Sequence, residues 1–234
     1  MERSLNSITQ NLERIREDIA REAAACGRRP EEIRLMAVTK TVPAALVNHA
    51  VDSCGITLLG ENRAQEMNEK YDDYHRDGVE IHFIGHLQTN KVRQVVGKVS
   101  MIESVDSLKL AREIDRAGAK LGITTDVLLE INIAGELSKS GVEPGAAEAL
   151  AREIAALEHV KLRGLMTIPP ICGEIDQINR YFSQMQALKV DIEGKNIDNI
   201  NMEFLSMGMS EDYPHAIRHG ANILRLGSAI FGNR

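Results

Sequence analysis

The feature that most constrains this chain is an eightfold alternation of short apolar runs with stretches of helical spacing. The runs fall at residues 33–39, 56–59, 80–84, 99–102, 127–133, 162–168, 204–207 and 223–226, each of strand rather than helix length. Between them, helical patterns cover residues 43–54, 63–76, 89–96, 107–121, 144–157, 174–188 and 211–219, and a short turn ends the chain. Such alternation predicts βαβ units on a parallel sheet. Eight units in 234 residues suit a single α/β domain, a (β/α)8 TIM-type barrel over residues 33–232. An open doubly wound sheet is the alternative, but it usually carries a GxGxxG turn after its first strand, and none is present. Upstream, Leu5, Ile8, Leu12, Ile15 and Ile19 recur at three- and four-residue steps. They predict an extra N-terminal helix within residues 1–28, placed over the bottom of the barrel and ended by Gly27 and Pro30.

Composition narrows the classes of function. Apolar residues make up 43% and charged residues 26%, and tryptophan is absent, so the core must be aliphatic. The net charge of -6 is spread without a basic cluster, which argues against nucleic acid as a main partner. No window approaches the roughly 20 apolar residues of a membrane span. Cys26, Cys54 and Cys172 form neither a CxxC pair nor a zinc pattern. With no secretory or transit signal at the N-terminus, the expected location is the reducing cytoplasm.

Active sites of barrels lie at the C-terminal ends of the strands. Met36, Val38 and Lys40 share one face of the first strand, with Lys40 at its end. A desolvated lysine amine can attack an aldehyde, although this lysine taken alone reads more readily as the solvated start of a loop. After the seventh strand comes SMGMSED, residues 206–212, where Gly208 lets N–H groups converge and Ser206 and Ser210 add hydroxyls. After the eighth comes GSAIFG, residues 227–232, whose short helical turn offers free N–H groups. Barrels often bind phosphate with these two loops. Arg225 faces opposite Leu224 and Leu226; inside the barrel its charge needs a partner such as a ligand ring nitrogen or phosphate. Glu61, Asn62 and His86 are placed to line the same mouth. His82 and His86 stand on a strand running into a loop, where their spacing does not converge on a metal, so no metal site is expected.

Taken together these segments resemble the pyridoxal phosphate homeostasis protein family, PLP-binding proteins with an alanine-racemase-like barrel. The matching stretches are AVTKT at 37–41, LGENRAQE at 59–66, IHFIGHLQTNK at 81–91, ESVD at 103–106, INI at 131–133, KSG at 139–141, GLMTIP at 164–169, LSMGMS at 205–210 and RLGSAIFG at 225–232. They span nearly the whole chain in order. The resemblance implies pyridoxal 5'-phosphate as cofactor, joined to Lys40 as a Schiff base. It implies phosphate around Ser206, Gly208, Gly227 and Ser228, Arg225 near the pyridine nitrogen and Asn62 near the cofactor. His86 and Arg63 stand where relatives often have proline and an aromatic residue.

The resemblance also implies a role in intracellular vitamin B6 balance. An arginine beside the pyridine nitrogen disfavours its protonation and weakens the ring as an electron sink. Tyr71, Tyr74, Tyr181 and Tyr213 lie away from predicted strand ends, and the second, mostly β domain of racemases is expected to be absent. The expectation is therefore a monomeric carrier or buffer of PLP without catalysis, with apo PLP enzymes as recipients. A single-domain racemase-like enzyme is the alternative, and a barrel binding another phosphate compound is a third reading.

Overall fold

The computed structural model describes residues 4–136, 139–170 and 174–232. Cys172 lies outside the described residues. The elements follow the order α1 (Leu5–Ala25), β1 (Arg34–Val38), α2 (Ala44–Asp52), β2 (Leu58–Glu61), α3 (Ala64–Lys70), β3 (Glu80–Phe83), a 3-10 stretch (Thr89–Gln94), β4 (Met101–Val105), α4 (Leu108–Leu121) and β5 (Thr125–Glu130). Then come α5 (Ala147–Ala155), β6 (Val160–Met166), α6 (Ile175–Gly194), β7 (Ile200–Ser206), α7 (Tyr213–Arg218), β8 (Ile223–Leu226) and α8 (Ser228–Phe231). The eight strands close in chain order into one parallel barrel, in which β8 returns to β1 with Met36 opposite Arg225. The fold is the expected (β/α)8 barrel. No helix among the described residues is long and apolar enough to cross a membrane.

Strand alternation separates two apolar regions. Outward residues such as Ala37, Leu59, Ile102, Leu205, Leu224 and Leu226 pack under the helices in the main core. Inward residues Met36, Val38, Leu58, Ile84 and Ile223 fill one side of the barrel, and Met101, Leu128 and Met166 the other, both touching Phe204. Toward the N-terminal ends of the strands, Arg34 pairs with Glu80 at 2.5 Å and Arg163 with Asp126 at 2.5 Å. The Phe204 ring lies 5.8 Å and 5.5 Å from these two guanidinium groups.

Three elements depart from expectation. The extra helix α1 does not cover the bottom of the barrel. It packs along the side against α7, α8 and α2, where α8, one turn long, covers less of the barrel than a full crossover helix would. Ile8, Leu12, Ile15 and Ile19 bury its apolar stripe, and Arg28 reaches the carbonyls of Ile217 and Ala221 at 2.8 Å. The fourth strand runs Met101–Val105, past the end of its apolar run, since Glu103 finds partners inside the barrel. The third crossover is a 3-10 stretch rather than an α-helix.

Candidate functional site

A cavity of about 670 Å³ opens at the C-terminal mouth of the barrel. That volume falls in the usual range of small-molecule sites, roughly 300–1,000 Å³. Lys40, Asn62, Arg225, Gly227 and Ser228 all line it.

Lys40 follows β1 by two residues, with Val38 of the same face beside it in the cavity wall. Its loop is fastened from the outside. The Thr39 hydroxyl donates to Glu61 Oε1 at 2.7 Å, and Lys70 Nζ donates to the Thr39 carbonyl at 3.0 Å. The Thr41 N–H donates to Glu66 Oε1 at 2.5 Å, and Lys70 also bonds Glu66 at 2.9 Å. Thr41 itself has φ of 60°, a left-handed conformation unusual for a β-branched residue. Bonds to its neighbours hold that strained turn, and the turn places Lys40 in the mouth.

Glu61 and Asn62 part company. Glu61 is fully buried on the helix side, where it also accepts from the Tyr74 hydroxyl at 2.6 Å. It anchors the Lys40 loop and does not line the cavity, a correction to the expectation drawn from the sequence. Asn62 does line it, and its Oδ1 is buried with no hydrogen-bond partner among the described residues. Gly85 makes that placement possible: a Cβ there would stand 2.0 Å from the Asn62 carbonyl oxygen. His86 lies outside the cavity lining and faces Ser140 Oγ at 3.1 Å and Asp106 at 3.7 Å.

Arg225 is 3% exposed and points into the barrel from β8. Its Nη1 donates to Ser206 Oγ and its Nη2 to the Thr167 carbonyl, both at 2.7 Å. Burial lowers its affinity for its proton, while the charges of Glu103, Asp212 and Glu130 act the other way. Ser206, the last residue of β7, is fully buried below the cavity, with its hydroxyl committed to Glu103 and Arg225. It supports Arg225 and has no place in the cavity wall.

Gly208 does not line the cavity either. With φ of +95°, it turns the chain toward α7, and a Cβ there would meet that of Ala216 at 2.6 Å. The turn delivers Ser210 to the cavity wall, where its Oγ accepts from the Ala229 N–H at 3.1 Å and ties the β7 loop to α8. Ser210 was visible in the sequence as a hydroxyl donor. Spacing alone could not show that it, and not Ser206, reaches the mouth. Gly227 caps α8 and Ser228 begins it; the Ile230 and Phe231 N–H groups bond the Gly227 carbonyl at 3.1 and 2.9 Å, and the Ala229 N–H is the one held by Ser210.

The site therefore gathers an amine, a buried guanidinium, an unpartnered amide oxygen and a hydroxyl-lined turn around one cavity. This set suits an anionic ligand that also carries an electrophile. The family of the alanine racemase N-terminal domain matches residues 4–234, and the chain belongs to it.

Its relatives narrow the placement to the pyridoxal phosphate homeostasis proteins. The chain is 39% identical to the protein of that name from Aquifex aeolicus, over 96% of this chain and 97% of the relative. It is 39% identical to the one from Escherichia coli K12, over 98% of each. The structure of PipY from Synechococcus elongatus with PLP bound superimposes with a TM-score of 0.77 at 32% identity, covering 92% of this chain and 100% of PipY. Alanine racemase from Streptomyces coelicolor shares the fold, with a TM-score of 0.76 at 19% identity, and this chain covers 59% of its length.

Proposed function

We propose that this protein binds pyridoxal 5'-phosphate as a Schiff base on Lys40 and serves intracellular vitamin B6 homeostasis as a carrier or buffer. The observation that carries the reading is that Lys40 and Arg225 line one cavity whose wall includes Ser210, Gly227 and Ser228. The residues fit the cofactor. The unpartnered Asn62 amide can present either a donor or an acceptor to the ring hydroxyl. Ser210, Gly227 and Ser228 stand where a phosphate would meet hydroxyl and backbone donors. Arg225 supplies a fixed positive charge for the ring nitrogen. The bound cofactor supplies a reactive aldehyde, and the role of this chain is to orient and retain it.

Carriage rather than turnover is supported by the tyrosines. Tyr74 is bonded to Glu61, Tyr213 donates to Asp18 at 2.9 Å, and Tyr181 accepts from Gln177 at 2.8 Å. None of these hydroxyls belongs to the cavity wall. In the cavity wall Gly227 is half-buried and Ser228 exposed, which suits release to apo PLP enzymes as recipients. The reading includes a cytoplasmic monomer, in keeping with the free Cys26 and Cys54 and with Leu5, Leu121 and Val190 exposed on three different helices.

Absorbance of the cofactor-loaded protein tests the reading. Wild-type protein takes up PLP with a visible band, and Lys40→Ala lacks it. A Lys40→Ala variant that kept the band would overturn the assignment. Robust racemisation or transamination of an amino-acid panel would overturn the carrier role.

A further inference from the structure

Below the cavity runs a chain of buried polar side chains that the holding of a cofactor on Lys40 leaves unexplained. His82 Nδ1 lies 2.7 Å from Glu103 Oε1. The Ser206 hydroxyl donates to Glu103 Oε2 at 2.5 Å and accepts from Arg225 Nη1 at 2.7 Å. The four residues come from β3, β4, β7 and β8, so closure of the barrel is what assembles them. His82, Glu103 and Ser206 are fully buried, and Arg225 nearly so.

Burying charges is costly unless each has a close partner. Here one carboxylate stands between two cationic side chains. Burial favours the neutral form of His82, but its bond to Glu103 and the nearby carboxylate of Glu80 outweigh this and raise its pKa. Burial alone would raise Glu103, yet the bond from His82, the charges of His82 and Arg225, and the Ser206 hydroxyl hold it below the ordinary carboxylate value. On the far side, His82 Nε2 is 3.5 Å from Glu80, which pairs with Arg34. Asp212 and Glu130 add their charges at Arg225. An apolar filling would have closed the barrel more simply, so the line of alternating charges calls for a role at its upper end.

We infer that His82 and Glu103 are positioning residues which, through Ser206 and Arg225, set the proton affinity of the ring nitrogen of a pyridine ligand in the cavity. The inference rests on the reading of Arg225 beside that nitrogen. Glu103 tempers the positive potential of Arg225, and His82 tempers that of Glu103. Ser206 fixes the guanidinium to one orientation. The two ends of the chain therefore act with opposite signs. Removing the negative charge makes the ring nitrogen harder to protonate, and removing the positive charge makes it easier.

The test is ring-nitrogen NMR of protein loaded with 15N-labelled PLP, titrated with pH. Glu103→Gln is expected to lower the proton affinity of the ring nitrogen and His82→Gln to raise it. The expected size is about tenfold each, as for a unit charge about 10 Å away at an effective dielectric near 20. Shifts in one direction, or none, overturn the inference, because a merely structural role has no sign. A second measurement needs neither ligand nor variant. In the cofactor-free wild type, the His82 ring is expected to keep its proton above the ordinary histidine range; a His82 that is neutral there overturns the inference even if the variants do not fold. Failure of the PLP reading shows separately, as a band retained in Lys40→Ala.

Discussion

The backbone N–H of Thr41 donates to Glu66 Oε1 at 2.5 Å, so that α3 holds the residue next to Lys40 in a left-handed turn. The same carboxylate accepts from Lys70, whose Nζ also bonds the Thr39 carbonyl. The lysine is thus flanked on both sides by residues tied to one helix. Glu66→Ala is expected to cost about 1–2 kcal/mol of stability through the lost bonds. It is also expected to slow PLP uptake, as the turn relaxes and Lys40 samples other positions. Thr41→Gly in the same background should recover part of the stability, because glycine adopts positive φ without strain. Denaturant midpoints and stopped-flow absorbance check both; unchanged uptake in Glu66→Ala would show that the turn is not what aims the lysine.

Ser210 and Ser206 are expected to separate by function. Ser210 lines the cavity, and Ser206 lies beneath it bonded to Glu103 and Arg225. Ser210→Ala should weaken PLP binding about tenfold, as for one charge-assisted hydrogen bond. It should also weaken competition by inorganic phosphate by a similar factor. Ser206→Ala should leave phosphate competition intact. Competition titrations followed by absorbance decide it, and the reverse pattern would return Ser206 to the phosphate site.

Glu130, at the end of β5, has its pKa pushed up to about 7, first by burial and then by the charge of Asp106, with Arg225 acting the other way. Its Oε2 has no hydrogen-bond partner among the described residues. A raised pKa means that the folded protein holds this proton more tightly than the unfolded chain. The stability it contributes is fully present below the ordinary glutamate value of 4.5 and is lost as pH rises through about 7. Glu130→Gln removes that dependence. The variant should gain on wild type by roughly 3 kcal/mol in total between about pH 4 and about pH 8. Urea midpoints across that range measure it, and a constant difference would contradict the account.

Gly208 carries φ of +95° and faces Ala216 at a distance no Cβ tolerates. Gly208→Ala is expected to destabilise by about 2 kcal/mol or more, from strain and overpacking together. It should also weaken PLP binding, because the turn it distorts carries Ser210. A variant with wild-type thermal midpoint and affinity would rule this out.

The barrel was legible because strand ends and helix spacing alternate eight times, and Lys40, Asn62, Arg225, Gly227 and Ser228 were legible because each sits at or near the C-terminal end of a strand. What was not legible depends on contacts between distant strands. The apolar run at 99–102 stops before Glu103, a charged residue that ordinarily marks a strand's end. Only the closed barrel brings His82 and Ser206 to it. Ser206 and Ser210 look alike in sequence, and which one reaches the mouth depends on how sharply Gly208 turns the chain. The side-on docking of α1 follows from the shortness of α8, a property of the opposite end of the chain.

The central claim is tested most directly by borohydride reduction of the PLP-loaded protein, followed by peptide mass mapping. One pyridoxyl phosphate adduct is expected, on the peptide that contains Lys40, and none in Lys40→Ala. An adduct confined to Lys70 or Lys139, or no stoichiometric adduct at all, would contradict it.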